Sequence, residues 1–228
     1  MRDAIVALDL ETTGLNRDED AIIEIGAALF ENGELRETFS TLVNPGRSIP
    51  DRITAITGIH TEDLEGAPGI HSVLPDLRAF IGDHPVLGHR VDFDLGFLAR
   101  YGIGTRNLAL DTYELASVLL PDTARYNLTH LSDELDVNLE HAHRALDDAL
   151  ATGHLYWELW QRALALPLDI LQEIVEAAGD LPWSAQPVFL AALQERSKTA
   201  FTEDARERKR TSPAPTDLFK PADRAWQP

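Results

Sequence analysis

The stretch V-A-L-D-L-E-T-T-G-L, from Val6 to Leu15, is an apolar run that ends in two carboxylates and a Thr-Thr-Gly turn. Such a run predicts a buried strand, and alternate side chains of a strand lie on the same face of a sheet. Asp9 and Glu11 would therefore project together, and two anions held that close repel each other unless a cation lies between them. A hard divalent ion, Mg²⁺ or Mn²⁺, prefers oxygen ligands of this kind. An isolated D-x-E pair is more often two solvated acids at a strand end, so its meaning depends on the rest of the chain.

Hydrophobic periodicity along the chain predicts an α/β fold in which an antiparallel hairpin precedes alternating strands and helices. The hairpin turn contains an Asn-Gly pair at residues 32–33. The predicted strands are Ala4–Leu10, Ile22–Phe30, Leu35–Val43, Val86–Leu87 and Leu108–Leu110. The predicted helices are Pro50–Thr57, Ile70–Ile81, Phe93–Tyr101, Thr112–Leu120, Asn127–Leu135, Ala142–Leu166, Leu168–Ala178 and Val188–Arg210. We therefore expect a mixed five-stranded sheet with helices on both faces.

The composition is that of an ordinary globular protein, with 44% hydrophobic and 25% charged residues in a chain of 228. The chain has no cysteine, which excludes disulfides, thiolate zinc sites and cysteine nucleophiles. No apolar stretch approaches the roughly 18 residues of a membrane span, and the start lacks a signal-peptide core. We expect a soluble, cytoplasmic protein with no membrane partner.

The net charge of -18 is unevenly distributed along the chain. Residues 1–193 contain 12 arginines, no lysine and 32 acids, whereas residues 194–228 contain 8 basic and 6 acidic residues. Phosphate binding normally requires a basic surface. A polyanion bound by the main domain would therefore be held by metal ions, backbone amides and a few arginines.

Two further groups of acids lie where a strand gives way to a helix or where a helix begins. The first is in G-H-R-V-D-F-D-L-G-F-L, from Gly88 to Leu98, and the second is in H-R-A-L-D-D-A, from His143 to Ala149. A mixed sheet could bring one acid from each group beside Asp9 and Glu11 at the end of the first strand, so that four carboxylates could share two metal ions. Four carboxylates with a nearby histidine are the groups that two-metal phosphodiester hydrolysis requires.

In these motifs the chain resembles the DEDDh 3'-5' exonucleases, the group that includes the proofreading epsilon subunit of bacterial DNA polymerase. The resemblance covers about residues 4–160 and implies a ribonuclease H-like fold. It is carried by D-x-E-T-T-G-L (9–15), I-I-E-I-G-A (22–27), L-V-N-P-G (42–46), T-G-I (57–59), F-D-L-G-F-L (93–98), L-D-T (110–112) and H-R-A-L-D-D-A (143–149).

Carried over residue by residue, the resemblance implies a complete catalytic site. It implies two Mg²⁺ or Mn²⁺ ions held by Asp9, Glu11, Asp94 and Asp148, with His143 as the general base. Helix geometry alone favours Asp147 over Asp148, because residues four apart share a face with His143. In the family the histidine lies at or before the helix start, and the acid follows it by five residues. This spacing implies Asp148. The family acid also directly follows a phenylalanine, which favours Asp94 over Asp92.

The resemblance also implies residues that contact the 3' end of the substrate. These are Thr12, Thr13, Gly14, Leu15, Ile59, His89 and Phe93, although core packing is an equally good interpretation of Ile59 and Phe93. Asp111 is implied to be structural. The chain departs from the family in having Thr57 and Arg90 where the family usually has histidine and asparagine, and these changes bear on substrate preference more than on chemistry.

We predict an exonuclease domain at residues 1–165, a helical extension at 166–210 and a Pro-rich linker or disordered tail at 211–228. The segment from residue 163 resembles the one that follows the exonuclease module in some bacterial DinG-type helicases. The chain has no G-x-x-x-x-G-K-[ST] loop, so it carries no ATP motor of that type. A helicase or polymerase partner is therefore expected in cis or in trans.

Three functions are compatible with the sequence. The first is a 3'-5' exonuclease that releases nucleoside monophosphates from the 3' end of DNA, with single-stranded DNA as the expected substrate. The second keeps the site but acts on RNA or oligoribonucleotides, a choice that depends on contacts to the 2'-OH. The third is a non-catalytic docking module of a helicase or polymerase assembly, which would not need several like charges in one place.

Overall fold

A computed structural model describes residues 4–211, with side chains as far as residue 199. Its sheet has five strands in the order β3-β2-β1-β4-β5, in which β1 is antiparallel to β2 and parallel to β4. The strands are β1 (Ala4–Thr12), β2 (Ile22–Glu31), β3 (Glu34–Leu42), β4 (Val86–Gly88) and β5 (Ala109–Asp111). The predicted mixed five-stranded sheet is therefore confirmed.

The helices agree closely with the predicted ones, and a 3-10 turn at Thr61–Leu64 adds an element that the sequence had not indicated. They are α1 (Asp51–Thr57), α2 (Ile70–Ile81), α3 (Asp92–Ala99), α4 (Thr112–Leu119), α5 (Leu128–Glu134), α6 (Ala145–Ala165), α7 (Leu168–Ala178) and α8 (Gln186–Thr211). No helix within residues 4–211 is both long and apolar enough to cross a membrane.

The strand β1 lies between two hydrophobic cores, because its side chains alternate between the faces of the sheet. Ile5 and Ala7 pack in a core with residues of α4, α6 and α8, whereas Val6, Leu8 and Leu10 pack with residues of α2 and α3. Helices thus cover both faces, as expected.

The helical extension shares the first of these cores. Leu171 of α7 and Phe189 of α8 are fully buried there, together with Leu155 and Leu159 of α6. Ser184 also donates a hydrogen bond from its backbone N–H to the Glu114 carboxylate on α4, at 3.1 Å. The predicted boundary at residue 165 therefore falls between two helices that are joined by a continuous core. The predicted tail lies outside the described residues from position 212 onward.

Candidate active site

Asp9 and Glu11 lie at the end of β1, on the face that α6 covers. They continue the alternation of Ile5 and Ala7, and their cross-strand partners on β2 are Gly26 and Glu24. The pairing becomes irregular directly after Glu11. The two carboxylates therefore project together where the regular strand ends.

The start of α6 packs directly on the sheet at Gly26. A Cβ atom on this glycine would lie 2.1 Å from the carbonyl carbon of Ala145, so only a hydrogen fits between the strand and the helix. This close approach places the first turn of α6 beside the ends of β1 and β2. Glu11, His143 and Asp148 each offer a ligand atom there, and these atoms lie within 4.8 Å of one another.

The loop before α6 explains why the predicted start of this helix, at Ala142, is three residues too early. His143 has a φ of 66°, in the left-handed region that residues other than glycine rarely adopt. Its backbone N–H donates to Oδ2 of Asp148 at 3.0 Å. The His143 side chain is exposed and precedes the helix, and Asp148 is buried in the helix's first turn.

Asp147, the alternative that helix geometry had favoured, faces elsewhere. Its Oδ2 lies 3.0 Å from Nδ1 of the exposed His141. Of the two neighbouring acids, Asp148 is the one that the structure brings to Glu11 and His143.

Asp94 reaches the same region from α3. It is only 3% exposed, and its Oδ1 accepts a hydrogen bond from the backbone N–H of Leu10 at 3.0 Å. The neighbouring Asp92 is exposed. Leu10 lies between Asp9 and Glu11, so this hydrogen bond joins the third acid to the strand that carries the first two.

Burial raises the pKa of each of the four carboxylates, and the charges of neighbouring acids raise it further. Burial, then the charges of Asp94, Asp148 and Glu11, raise the pKa of Asp9 well above its usual range. Burial and nearby acids raise the pKa of Glu11 to about 8. Burial raises the pKa of Asp94 to about 8 and that of Asp148 to about 6, although backbone N–H donors partly oppose both shifts.

This acid cluster (Asp9, Glu11, Asp94 and Asp148) fits divalent metal ions. Arg144 lowers the pKa of Glu11, and Arg17 lowers that of Asp94, but neither outweighs burial. Partly buried anions with too little compensating positive charge favour a bound cation. Carboxylate oxygens are the donors that Mg²⁺ and Mn²⁺ prefer.

Sequence reasoning missed a fifth acid, Glu24, which is buried beside the cluster on β2. It forms a salt bridge with Arg144, with 2.7 Å between Oε1 and Nη2, and it accepts a hydrogen bond from the backbone N–H of Ala145 at 3.0 Å. The signal in the sequence was an acid within the apolar run of β2, inside the I-I-E-I-G-A motif at residues 22–27.

The turn after the acids is held together by its own hydroxyl groups. Thr12 Oγ1 donates to the carbonyl of Gly14 at 2.6 Å, and Thr13 Oγ1 bonds to Asp20 Oδ1 at 3.0 Å. Thr12, Thr13 and Gly14 are buried, whereas Leu15 is 81% exposed. Of this group, Leu15 is the side chain that is free to meet a substrate.

Of the other predicted substrate contacts, Ile59 is buried, whereas Phe93 and His89 are half-buried. Ile59 is 3% exposed in a small core with Ile23, and the ring centroid of Phe93 lies 5.1 Å from that of Phe97. His89 differs most from expectation, because Nδ1 lies 2.8 Å from Thr112 Oγ1 and Nε2 lies 2.7 Å from the carbonyl of Tyr126. Burial lowers the pKa of His89 to about 4, so its ring is neutral and both nitrogens have protein partners.

The two departures from the family pattern have structural contacts. Thr57 Oγ1 donates to the carbonyl of Ile53 and accepts from the backbone N–H of Ile59. The guanidinium carbon of Arg90 lies 4.4 Å from the centre of the Tyr113 ring. Asp111 accepts from the backbone N–H groups of residues 90, 91 and 113, which is the structural role that the resemblance implied.

A cleft of about 420 Å³ opens beside the acid cluster. Its walls include His143, Asp148, Arg125 and Asn127. A smaller cavity, of about 330 Å³, is lined by Ile59 and Arg144, among others. Space for an extended ligand therefore lies next to the candidate ligands.

The sequence model of the RNase_T exonuclease family matches residues 6–156. The chain is 38% identical over 164 residues to the DNA polymerase III subunit epsilon of Aquifex aeolicus, and the aligned region covers 68% of this chain and 81% of that protein. It is 39% identical over 157 residues to a PolC-type DNA polymerase III of Clostridium perfringens, covering 67% of this chain. It is 34% identical over 176 residues to the 3'-5' exonuclease DinG of Bacillus subtilis, covering 74% of this chain.

The chain spans only 11% of the length of that PolC-type polymerase and 19% of that DinG protein. Among solved structures, exonuclease X in complex with 5' overhanging duplex DNA superposes with a TM-score of 0.60 at 26% identity, covering 69% of this chain and 91% of that one.

Proposed function

The chain belongs to the RNase_T exonuclease family, and from this premise we propose that it is a metal-dependent exonuclease that hydrolyses DNA from the 3' end and releases nucleoside monophosphates. The resemblance to 3'-5' exonucleases that the motifs indicated is confirmed by the family match. The observation that carries the proposal is the convergence of Glu11, Asp148 and His143 within 4.8 Å, beside the buried Asp94.

We propose that Asp9, Glu11, Asp94 and Asp148 hold two divalent ions, Mg²⁺ or Mn²⁺. When bound, such ions stabilise the negative charge of the phosphate in the transition state and make water a better nucleophile. The acid cluster cannot act as the base while it holds cations, because its charges are then neutralised.

His143 is the proposed general base. Its side chain is exposed at the cleft, and its backbone N–H donates a hydrogen bond to the Asp148 carboxylate. An imidazole nitrogen can therefore accept a proton from the attacking water. A positioned base contributes roughly 10² to 10⁴ in rate, which is a small part of what phosphodiester hydrolysis requires. The chemistry therefore depends more on the acid cluster than on His143.

The preference for DNA is supported by the similarity to a PolC-type DNA polymerase III and to a DNA polymerase III subunit epsilon, and by the structure of exonuclease X with DNA. Thr12, Thr13, Gly14, Leu15, Ile59, His89 and Phe93 remain proposed contacts of the terminal nucleotide. For His89, a nucleotide would have to replace Thr112 or the Tyr126 carbonyl as hydrogen-bond partner. We further propose a helicase or polymerase partner, in cis or in trans, because the matched PolC-type and DinG proteins are five to nine times longer than the matched region.

The test is a 5'-labelled single strand of DNA incubated with the protein and Mn²⁺, with or without a chelator. We expect chelator-sensitive shortening from the 3' end and release of nucleoside monophosphates. An RNA strand of the same sequence tests the second function, and shortening of RNA but not of DNA would replace the first. Binding without shortening in Mn²⁺ would instead support a docking module.

Variants then test the roles of individual residues. Asp9→Ala should abolish activity at every pH, whereas His143→Ala should leave a residual rate that rises with alkaline pH, because hydroxide partly replaces the base. His141→Ala is the matched control, since His141 is also exposed but lies within hydrogen-bond distance of Asp147. Full activity of Asp9→Ala would refute the site.

A further inference from the structure

Glu24 differs from the four acids of the cluster because both of its oxygens already have protein donors. The Nε atom of Arg144 lies 3.2 Å from each oxygen, its Nη2 lies 2.7 Å from Oε1, and the backbone N–H of Ala145 lies 3.0 Å from Oε2. Glu24 is 2% exposed and is paired with Glu11 across the two strands. The charge of Glu24 is therefore balanced by Arg144, whereas the acid cluster beside it has too little compensating positive charge.

The donors to Glu24 immediately follow His143 in the chain. Ala145 is fully buried against Gly26, so the backbone after His143 is fixed to β2 both by packing and by the Glu24 carboxylate. The backbone N–H of His143 itself donates a hydrogen bond to Asp148, and His143 has the unfavourable φ of 66°. A strained backbone conformation persists only where surrounding contacts over-determine it.

The exposed ring of His143 has no comparable restraint among the hydrogen bonds of residues 4–199. Its position relative to Glu11 and Asp148 thus depends on the backbone of residues 143–145, and through them on Glu24. We propose that Glu24, with Arg144 as its tether, is a positioning residue for His143: it places the imidazole against the attacking water without contacting metal or substrate. The proposal rests on the proposed role of His143 as the base.

The size of the expected effect follows from how strictly a base must be placed. A misplacement of about 1 Å can cost on the order of 10²-fold in rate, and the base itself contributes roughly 10² to 10⁴. Glu24→Gln keeps the shape of the side chain but removes the charge that binds Arg144. We expect its kcat to fall by about 10- to 100-fold, with little change in KM.

A double-mutant cycle with His143→Ala tests the proposal. If Glu24 acts through His143, Glu24→Gln should cause no further loss of kcat in the His143→Ala protein. Arg144→Lys keeps the positive charge near Glu24 but loses the two-pronged contact, so it should give a smaller loss that also disappears without His143. This milder variant keeps the test valid if Glu24→Gln lowers the melting temperature below the assay temperature.

The matched control is Glu158→Gln. Glu158 forms an exposed salt bridge with Arg162 on the same helix, at 3.2 Å, so the same chemical change there should leave kcat within twofold. Equal losses of kcat from Glu24→Gln with and without His143 would overturn the proposal, and so would a rise in KM alone, which would make Arg144 a substrate contact. Failure of the proposed function would look different, because His143→Ala would then be as active as the parent or the parent would be inactive.

Discussion

The backbone N–H of Leu10 donates a hydrogen bond to the Asp94 carboxylate, across 84 positions of sequence. Leu10 belongs to the strand that carries Asp9 and Glu11, and Asp94 belongs to the first turn of α3. An N–H donor favours the charged form of a carboxylate and fixes its orientation. This hydrogen bond therefore holds the Asp94 carboxylate against the strand that carries Asp9 and Glu11.

Asp94→Asn should abolish most of the proposed exonuclease activity while the protein remains folded. The amide preserves the shape but not the charge that a divalent ion requires. Loss of even an outer partner of a metal ligand typically costs 10- to 100-fold, so we expect a loss of more than about 100-fold. The exposed Asp92, two residues earlier, is the matched control, and Asp92→Asn should retain activity in the same strand-shortening assay.

Asp147→Asn and Asp148→Asn should separate two acids that are adjacent in sequence. Asp148 lies with Glu11 and His143, whereas Asp147 bonds to the exposed His141. We expect a loss of more than about 100-fold for Asp148→Asn and less than about threefold for Asp147→Asn, measured as initial rates at saturating Mn²⁺. The reverse order would assign the metal ligand to the residue that simple helix periodicity favoured.

The metal-free protein should become less stable as the pH rises. The folded-state pKa values of Glu11 and Asp94, both about 8, and of Asp148, about 6, lie above those of unfolded carboxyl groups. The folded protein therefore binds more protons than the unfolded chain between roughly pH 4 and pH 8. The stability due to these groups is fully present below about pH 4 and is lost as the pH rises through about 8.

Thermal melts in chelator should show this loss as a fall in Tm from about pH 5 to about pH 8.5. Each 1 kcal/mol corresponds to roughly 2–4 °C in a domain of this size. Saturating Mn²⁺ should flatten the curve, because the ion binds the charged carboxylates of the folded state. Asp94→Asn removes one of the groups and should have a shallower slope in chelator, and a Tm that rises with pH there would contradict the shifts.

The sheet and helices could be predicted because each element has its own periodicity. The predicted ends of β1 and α2 lie within two residues of the observed ends. The start of α6 was misplaced because His143 adopts a left-handed backbone, which no hydrophobic pattern indicates. The turn Thr61–Leu64 was missed because four residues are too few to show a period.

The residues of the candidate site were predicted less completely than the strands and helices. The motifs indicated Asp94 and Asp148 because they carry a local spacing that can be compared with a family. The contact between Glu24 and Arg144 joins residues 120 positions apart and has no local signal. The environment of His89 likewise depends on Thr112 and Tyr126 from other elements, so its two hydrogen bonds could be seen only in the fold.

Gly26→Ala should disrupt the site without changing any side chain in it. The added Cβ would lie 2.1 Å from the Ala145 carbonyl carbon and 2.2 Å from the backbone nitrogen of Leu146, and neither backbone atom can move without moving the start of α6. That movement would carry Asp148 and His143 away from Glu11. We expect a loss of activity of at least about 100-fold and a lower Tm, since overpacking typically costs 1–3 kcal/mol.

Gly69→Ala provides the matched control, because Gly69 has nothing within 4 Å of an added Cβ and a φ of -69° that alanine also adopts. Its activity should be unchanged. If Gly26→Ala lowered Tm but kept full activity, α6 could shift on the sheet without carrying the proposed catalytic residues with it. The close contact at Gly26 would then serve stability alone, and the geometry of the acid cluster would have to be maintained by the Glu24 carboxylate and the hydrogen bond from His143 to Asp148.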